Sequence, residues 1–325
     1  MPQIGFVLRW VVKAVAVLLA ITILNFLLIR LAPGDPAVVL AGEAGAGDQQ
    51  FLDRVRQDFG LDQPLAVQLW TYVKNVVSLD LGQSYRTGRP VTGMILERLP
   101  ATLLLTGTAY LLALFLGPLL GALAAMRPRS VLDSVLMVVS LVFYATPIFW
   151  VGLLLILVFS VQLGWLPPFG MQSLIPVKGM VAKTLDLVRH LILPAVTLAL
   201  FYIAVYVRLT RASMLETASL DYVKTARAKG LPEWRVATAH ILRTALIPII
   251  TFAGLQAGHL VGGAIVVETV FAWPGIGRLA FDALFQRDYN LLLGVFLISA
   301  LMVVFFNMIT DLVLRIADPR IAGRA

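Results

Sequence analysis

Residues Leu99–Met126 read LPATLLLTGTAYLLALFLGPLLGALAAM, a stretch without a single Asp, Glu, Lys or Arg. A bilayer core takes about 20 apolar residues in helical form, so this run is long enough to cross one. Five further charge-free runs accompany it: Ala14–Ile29, Ser134–Val177, His190–Val207, Thr244–Val267 and Tyr289–Thr310. The first is short but is extended by Ile4–Leu8 and Trp10–Val12, with Arg9 and Lys13 placed to snorkel from its start. The third is too long for one span. Gly164, Pro167, Pro168 and Gly170 break it, which predicts a helix over about Val135–Leu163 followed by an apolar loop. A single such run suits a buried core helix of a soluble protein, but six in one chain do not. The expected fold is an all-α polytopic membrane protein with six transmembrane helices.

Composition points the same way. Of 325 residues 59% are apolar and 14% charged, with a mean hydropathy of +0.89. Soluble domains are about half apolar and about one quarter charged, so a soluble enzyme built on one ordinary core is excluded. The absence of cysteine excludes disulfides, thiolate metal sites and cysteine nucleophiles. The first run has a basic start like a signal peptide, but Asn25–Arg30 offers no small-x-small cleavage site, and it reads as a retained helix.

The net charge of +8 is compatible with nucleic acid, acidic lipid or topology, and its placement decides. Six spans put both termini on one side. That side holds fourteen basic residues: Arg9, Lys13, Arg127, Arg129, Arg208, Arg211, Lys224, Arg227, Lys229, Arg235, Arg243, Arg315, Arg320 and Arg324. Outside the long first loop the opposite side holds five. The positive-inside bias therefore predicts cytoplasmic termini, and the basic excess reads as topology, with no nucleic-acid partner.

Two connections carry pattern. The loop from about Leu31 to Arg98 has apolar residues at partly helical spacing from Phe59 to Val76, with Pro64 suited to a helix start. Ala41–Gly47 reads as a flexible connector. The expected division is a first helix over 1–30, an extracytoplasmic subdomain over 31–98, and a five-helix core over 99–325 carrying a cytoplasmic loop at 208–243. Within that loop, Leu220–Lys229 predicts a short helix stopped by Gly230, which tolerates a left-handed cap. Pro232 then opens a second helix, Glu233–His240, that leads into the fifth span. Two readings stand for this basic knob: a solvated loop obeying the charge rule, or a docking element. Its ordered features, Tyr222, Trp234, the stop glycine and the proline, favour docking.

Chemistry is conspicuous by what is missing. No P-loop, His-Glu-x-x-His or Gly-x-Ser-x-Gly sequence occurs. His190, His240 and His259 are scattered, and no catalytic or metal-ligating set is predicted. Interior charges are almost absent, with Asp311 near the end of the sixth span placed to pair with Arg315. Gly254, Gly258, Gly262 and Gly263 around His259 suit close helix packing. An ion-coupled carrier needs buried acids near the midplane, so a self-contained secondary transporter or channel is the less favoured alternative. A membrane-embedded enzyme would need clustered polar residues, and Thr146, Asn307 and Asp311 are scattered.

Nearly end to end, the chain resembles the inner-membrane permease subunits of binding-protein-dependent ABC importers, dipeptide/oligopeptide branch. The carrying motifs are Leu31–Pro36, Gly60–Leu65, Leu79–Gly82, Pro147–Gly152, Glu268–Phe271 with Pro274–Gly277, and the ending Asp318-Pro319-Arg320. Asn290 stands where that branch is expected to carry proline. Asp221–Gly230 resembles the branch form of the cytoplasmic "EAA" loop, with Lys224, Thr225 and Ala226 at its first three positions and Gly230 at its glycine. His240, Leu242 and Arg243 replace the Ile, Leu and Pro of the later part.

The resemblance implies a type I ABC importer permease fold in a bacterial or archaeal cytoplasmic membrane. It implies that the chain is not an enzyme and forms half of a pathway for a peptide or peptide-like solute. It also implies a second, homologous permease chain, two ATPase subunits, and an extracytoplasmic solute-binding protein. No cofactor is expected in this chain, ATP and Mg being bound by the ATPases. The residues implied to contact the ATPase are Asp221, Tyr222, Lys224, Thr225, Ala226, Arg227, Lys229 and Gly230. Tyr222, Ala226 and Gly230 are expected as packing positions, and Lys224, Arg227 and Lys229 as basic partners of a groove's acidic rim.

Overall fold

The computed structural model describes residues 12, 15–27, 63–78, 80–84, 86–175 and 177–317, with side chains at 255, 257–263 and 311–317 outside that description. The connector Ala41–Gly47, the Asp311–Arg315 pair and the surroundings of His259 therefore lie outside the described residues or side chains. Among the described residues the only β pairing is an isolated bridge between Gln83 and Pro90. Helices make up the rest of the regular structure.

They run in order as α1 (Val15–Leu27), α2 (Leu65–Val77), α3 (Val91–Met126), α4 (Val131–Ala145) and α5 (Ile148–Leu155), the last continued by a π-helical segment, Ile156–Gln162. Then come α6 (Met180–Ala218), α7 (Asp221–Ala228), α8 (Glu233–Arg235), a second π-helical segment (Val236–Leu242), α9 (Arg243–Val270), α10 (Ile276–Phe285) and α11 (Tyr289–Ala317). Among the described residues four stretches, Val91–Met126, Met180–Ala218, Glu233–Gly254 and Tyr289–Thr310, are long and apolar enough to cross a membrane. The first charge-free run is described as helix only over Val15–Leu27.

The third run differs from expectation. The helix predicted over Val135–Leu163 is two helices, α4 and α5, bent by 107° at Thr146-Pro147. Proline disfavours the helical region for the residue before it, and Thr146 is extended at φ −82°, ψ 133°. Pro147 also lacks the N–H that the carbonyl four residues back would take. Counting the bent pair as one crossing gives a fifth span.

Contacts divide the chain into two compact units, residues 1–97 with 279–301, and residues 98–278 with 302–325. In the first, α2 starts directly after Pro64, as expected of proline at a helix start. Asn25 donates to the Leu293 carbonyl at 3.3 Å, and the Phe26 and Tyr72 rings lie 6.1 Å apart. Asn290 donates its amide to the Gln83 carbonyl at 3.1 Å, a bond that a proline there would be unable to make.

The second unit has a core of Leu105, Ala109, Ala113, Leu198, Ala199, Tyr202, Tyr206, Val267, Phe271 and Trp273. Gly121 lets α3 approach α6, since a Cβ there would stand 2.6 Å from the Val207 carbonyl oxygen. Close packing also holds at Gly254, whose carbonyl accepts from Thr310 Oγ1 at 3.0 Å. Among the described residues of this unit two carboxylates are buried. Glu268, one residue past the fifth charge-free run, is fully enclosed. It accepts from Thr102 Oγ1 at 2.6 Å and from the Arg278 N–H at 2.9 Å. Trp273 donates its indole N–H to the Ala101 carbonyl at 2.8 Å, securing the same turn to α3. Asp133, in the first turn of α4, accepts both arms of the Arg211 fork at 2.5 and 2.8 Å and the Arg129 N–H at 2.9 Å.

Candidate functional site

The basic knob follows α6 directly. Ser219 closes that helix, its N–H bonding the Glu216 carbonyl at 3.1 Å, and Leu220, extended at ψ 148°, turns the chain into α7. Two turns later the helix stops as the sequence predicts. Gly230 takes φ +76°, and its N–H reaches the Arg227 carbonyl at 2.9 Å. Pro232, at φ −65° and ψ 142°, sets the entry to α8. The expected second helix, Glu233–His240, is present but widens into π geometry at Val236 and continues without a break into α9.

The knob has its own small core. Val223 and Ala226, three residues apart on α7, are buried with Ala122 of α3, Met214 of α6, Val236 and Ile241 of the π segment, and Ala245 of α9. Residues at this spacing share a helix face. Burying them makes α7 one body with the ends of three longer helices. Ala226 is thus a packing position within the chain, directed away from any partner. Val223, fully enclosed like Val236 across from it, is the knob's anchor on α7 and is not marked by any motif of the sequence. Its signal was the apolar pair at i, i+3 in an otherwise polar helix.

Tyr222, one turn before Ala226, edges the buried face of α7 with its ring partly exposed, yet its hydroxyl is tied down. It lies within hydrogen-bond distance of both the His240 carbonyl, at 3.1 Å, and Thr244 Oγ1, at 3.0 Å, bracing α7 against the π segment and the start of α9. Around Gly230 a Cβ would meet nothing within 4 Å. The residue therefore serves backbone conformation, since a left-handed φ suits glycine, and the position is open to an approaching surface.

The charges are partly spent at home. Lys224 donates to Asp221 Oδ1 at 2.8 Å, and Arg227 forks onto Glu233 at 2.9 and 3.4 Å. Arg227 also reaches the Ala218 carbonyl at 3.5 Å, where α6 ends. These pairs are exposed and each is worth about 0–1 kcal/mol, so an acidic partner would displace them easily. Lys229 makes no ion pair with a described residue. Together with the exposed Trp234, Tyr222, Thr225 and Lys229 leave the knob an amphipathic outer surface on a rigid base.

The profile of the family described as "Binding-protein-dependent transport system inner membrane component" matches residues 117–323, and that of its N-terminal part, "Binding-prot-dependent transport system membrane comp, N-term", matches residues 3–106. The chain is 42% identical to the di/tripeptide transport system permease protein DppB of Pseudomonas aeruginosa (strain UCBPP-PA14), over 98% of this chain and 99% of that one. It is 41% identical to the oligopeptide transport system permease protein AppB of Bacillus subtilis (strain 168), with the same coverage. With the glutathione transport system permease protein GsiC of Escherichia coli O6:H1 it shares 40%, again over 98% and 99%. Among solved structures, the MetNI methionine ABC transporter in inward-facing conformations superposes with a TM-score of 0.55 at 16% identity, over 69% of this chain and 96% of that one. The crystal structure of an amino acid ABC transporter with histidines gives 0.52 at 20% identity, over 69% and 94%. These two likenesses speak for the fold alone. With an all-α architecture of several apolar spans and a family profile covering residues 117–323, the chain belongs to the inner-membrane components of binding-protein-dependent transport systems.

Proposed function

We propose that this chain is one membrane half of an ATP-driven importer for peptides or peptide-like solutes, crossing the cytoplasmic membrane six times with both termini inside. A homologous permease chain completes the pathway, a binding protein delivers the solute, and two separate ATPase subunits supply the energy, so that ATP and Mg bind outside this chain. Asp221–Gly230 is the element that meets an ATPase.

The observation supporting this coupling role is the packing of Val223 and Ala226 into a core shared with α3, α6 and α9. A push on the outer face of α7 is then carried into three spans at once. A merely solvated loop has no need of a buried anchor. Peptide relatives at about 40% identity over nearly the whole chain support the solute class.

The test is purification of the tagged chain from gently solubilised native membranes. Recovery of a second permease chain with P-loop ATPases is expected. A chain that purifies alone and moves solute in liposomes under an ion gradient, without any ATPase, would overturn the reading.

A further inference from the structure

We infer that Arg208, laid over the ring of Tyr144, is a binding point inside the membrane for the carboxylate of the transported solute. The inference rests on the proposed role as half of a peptide pathway.

Arg208 ends the charge-free run of α6, a position from which an arginine ordinarily snorkels to the nearer membrane face. It does the opposite. Its guanidinium carbon lies 4.3 Å from the centroid of Tyr144. Tyr144 stands near the far end of α4, eleven residues beyond Asp133, or about 16 Å along the helix. Asp133 is gripped by Arg211, only three residues from Arg208 toward the knob. The two arginines thus diverge, Arg211 toward the knob end of α4 and Arg208 away from it, deeper along the apolar part of α6.

Arg211 is satisfied by a carboxylate. Arg208 has no hydrogen bond or ion pair with a described residue, only the π face of Tyr144. Charged side chains within spans face water-filled paths or partners, because hydrocarbon does not solvate them. Two local features agree with a path. Tyr144 is 45% exposed, and α4 breaks two residues later at Thr146-Pro147, where non-helical backbone at such depth belongs beside a cavity or inside protein. Phe201, stacked 5.6 Å from Tyr144, fixes the ring on which the guanidinium lies, and the N–H fork is left without a hydrogen bond to a described residue. A planar fork with spare donors is matched to a carboxylate, which it can take in a bidentate manner.

The experiment uses the assembled importer with its binding protein in liposomes. It measures uptake of two tripeptides differing only in a C-terminal carboxylate or carboxamide, for wild type and Arg208→Gln. Binding-protein preference is common to both chains and cancels in the variant-to-wild-type ratio for each peptide. We expect the carboxylate ratio to fall at least tenfold while the amide ratio changes less than twofold. Equal loss for both peptides, or no loss for either, overturns the inference. If Arg208→Gln fails to assemble, Arg208→Lys keeps the charge without the fork. It should lower the carboxylate ratio alone, and an equal effect on both peptides overturns the inference there too. Failure of the underlying peptide reading looks different, because wild type itself would then take up neither peptide.

Discussion

Thr102 and Glu268 share a single hydroxyl that serves two elements at once. Thr102 Oγ1 donates to Glu268 Oε1 at 2.6 Å and accepts the Ile276 N–H at 2.8 Å, linking α3 to both sides of the turn between α9 and α10. Gly275 and Gly277 complete the fit. A Cβ at Gly275 would collide with the Glu268 carboxylate, and one at Gly277 would come within 2.9 Å of Oε2. The spacing of Glu268 and Pro274–Gly277 is therefore that of a carboxylate clamp, closed by backbone donors that need small residues to come near.

Replacing Thr102 by valine keeps the shape and deletes both bonds. A buried carboxylate and a buried N–H each lose a partner, at a cost of about 1–3 kcal/mol apiece. Thr102→Val should lower the thermal midpoint of the detergent-solubilised chain, and Thr102→Ser should restore it. Equal midpoints for all three would show that the clamp carries no stability.

Asp133→Asn tests the grip of Arg211. The carboxylate is almost fully buried and the guanidinium mostly so. Removing one partner of such a pair costs about 3 kcal/mol, chiefly because the other charge stays behind unpaired. The amide should reduce recovery of folded protein and ease proteolysis after Arg127 and Arg129, where Asp133 accepts the Arg129 N–H. Unchanged proteolysis would place the ion pair among the dispensable ones.

Gly230 is strained for any side chain but crowded by none. A β-branched residue at a left-handed φ costs about 1–2 kcal/mol, and Gly230→Val should therefore remodel the end of α7 without unfolding the chain. Peptide uptake is expected to fall at least tenfold while the ATPase subunits still co-purify and hydrolyse ATP. Gly230→Asn, which tolerates the left-handed region, should keep most uptake. Normal uptake by the valine variant would sink the coupling role.

Val223→Ala removes two methyl groups from the knob's core, worth about 2 kcal/mol. The expected result is faster amide exchange throughout α7, with the spans unchanged, and weaker coupling of hydrolysis to uptake. Tyr222→Phe should act in the same direction and more mildly, since it loses two exposed bonds and no packing. If exchange in α7 stays slow in Val223→Ala, the buried anchor is not what holds the knob.

Much of this was legible in the residues. Charge-free runs announce the long spans because hydrocarbon admits few charges, and the end of α7 is written in Gly230 and Pro232. The break in the third run was legible too, in Pro147, but Gly164 to Gly170 drew the boundary seventeen residues late. Glu268 was masked differently. It abuts an apolar run and looks like a surface charge, and only folding brings Thr102, 166 positions away, to its oxygen. The pairing of Lys224 and Arg227 with Asp221 and Glu233 was equally invisible as a choice, since basic residues near acids have many partners in sequence and few in space.

The π segment between α8 and α9 bears on how the gene can change. A π turn closes i→i+5 bonds and so holds one residue more than an α turn. Loss of one codon within Val236–Leu242 lets the segment rewind as ordinary helix, leaving Trp234 facing nearly where it did. The same loss inside α9 would swing everything before it by about 100° around the axis. The chain thus keeps a slip joint between the knob and the membrane, where length can drift while aim is preserved.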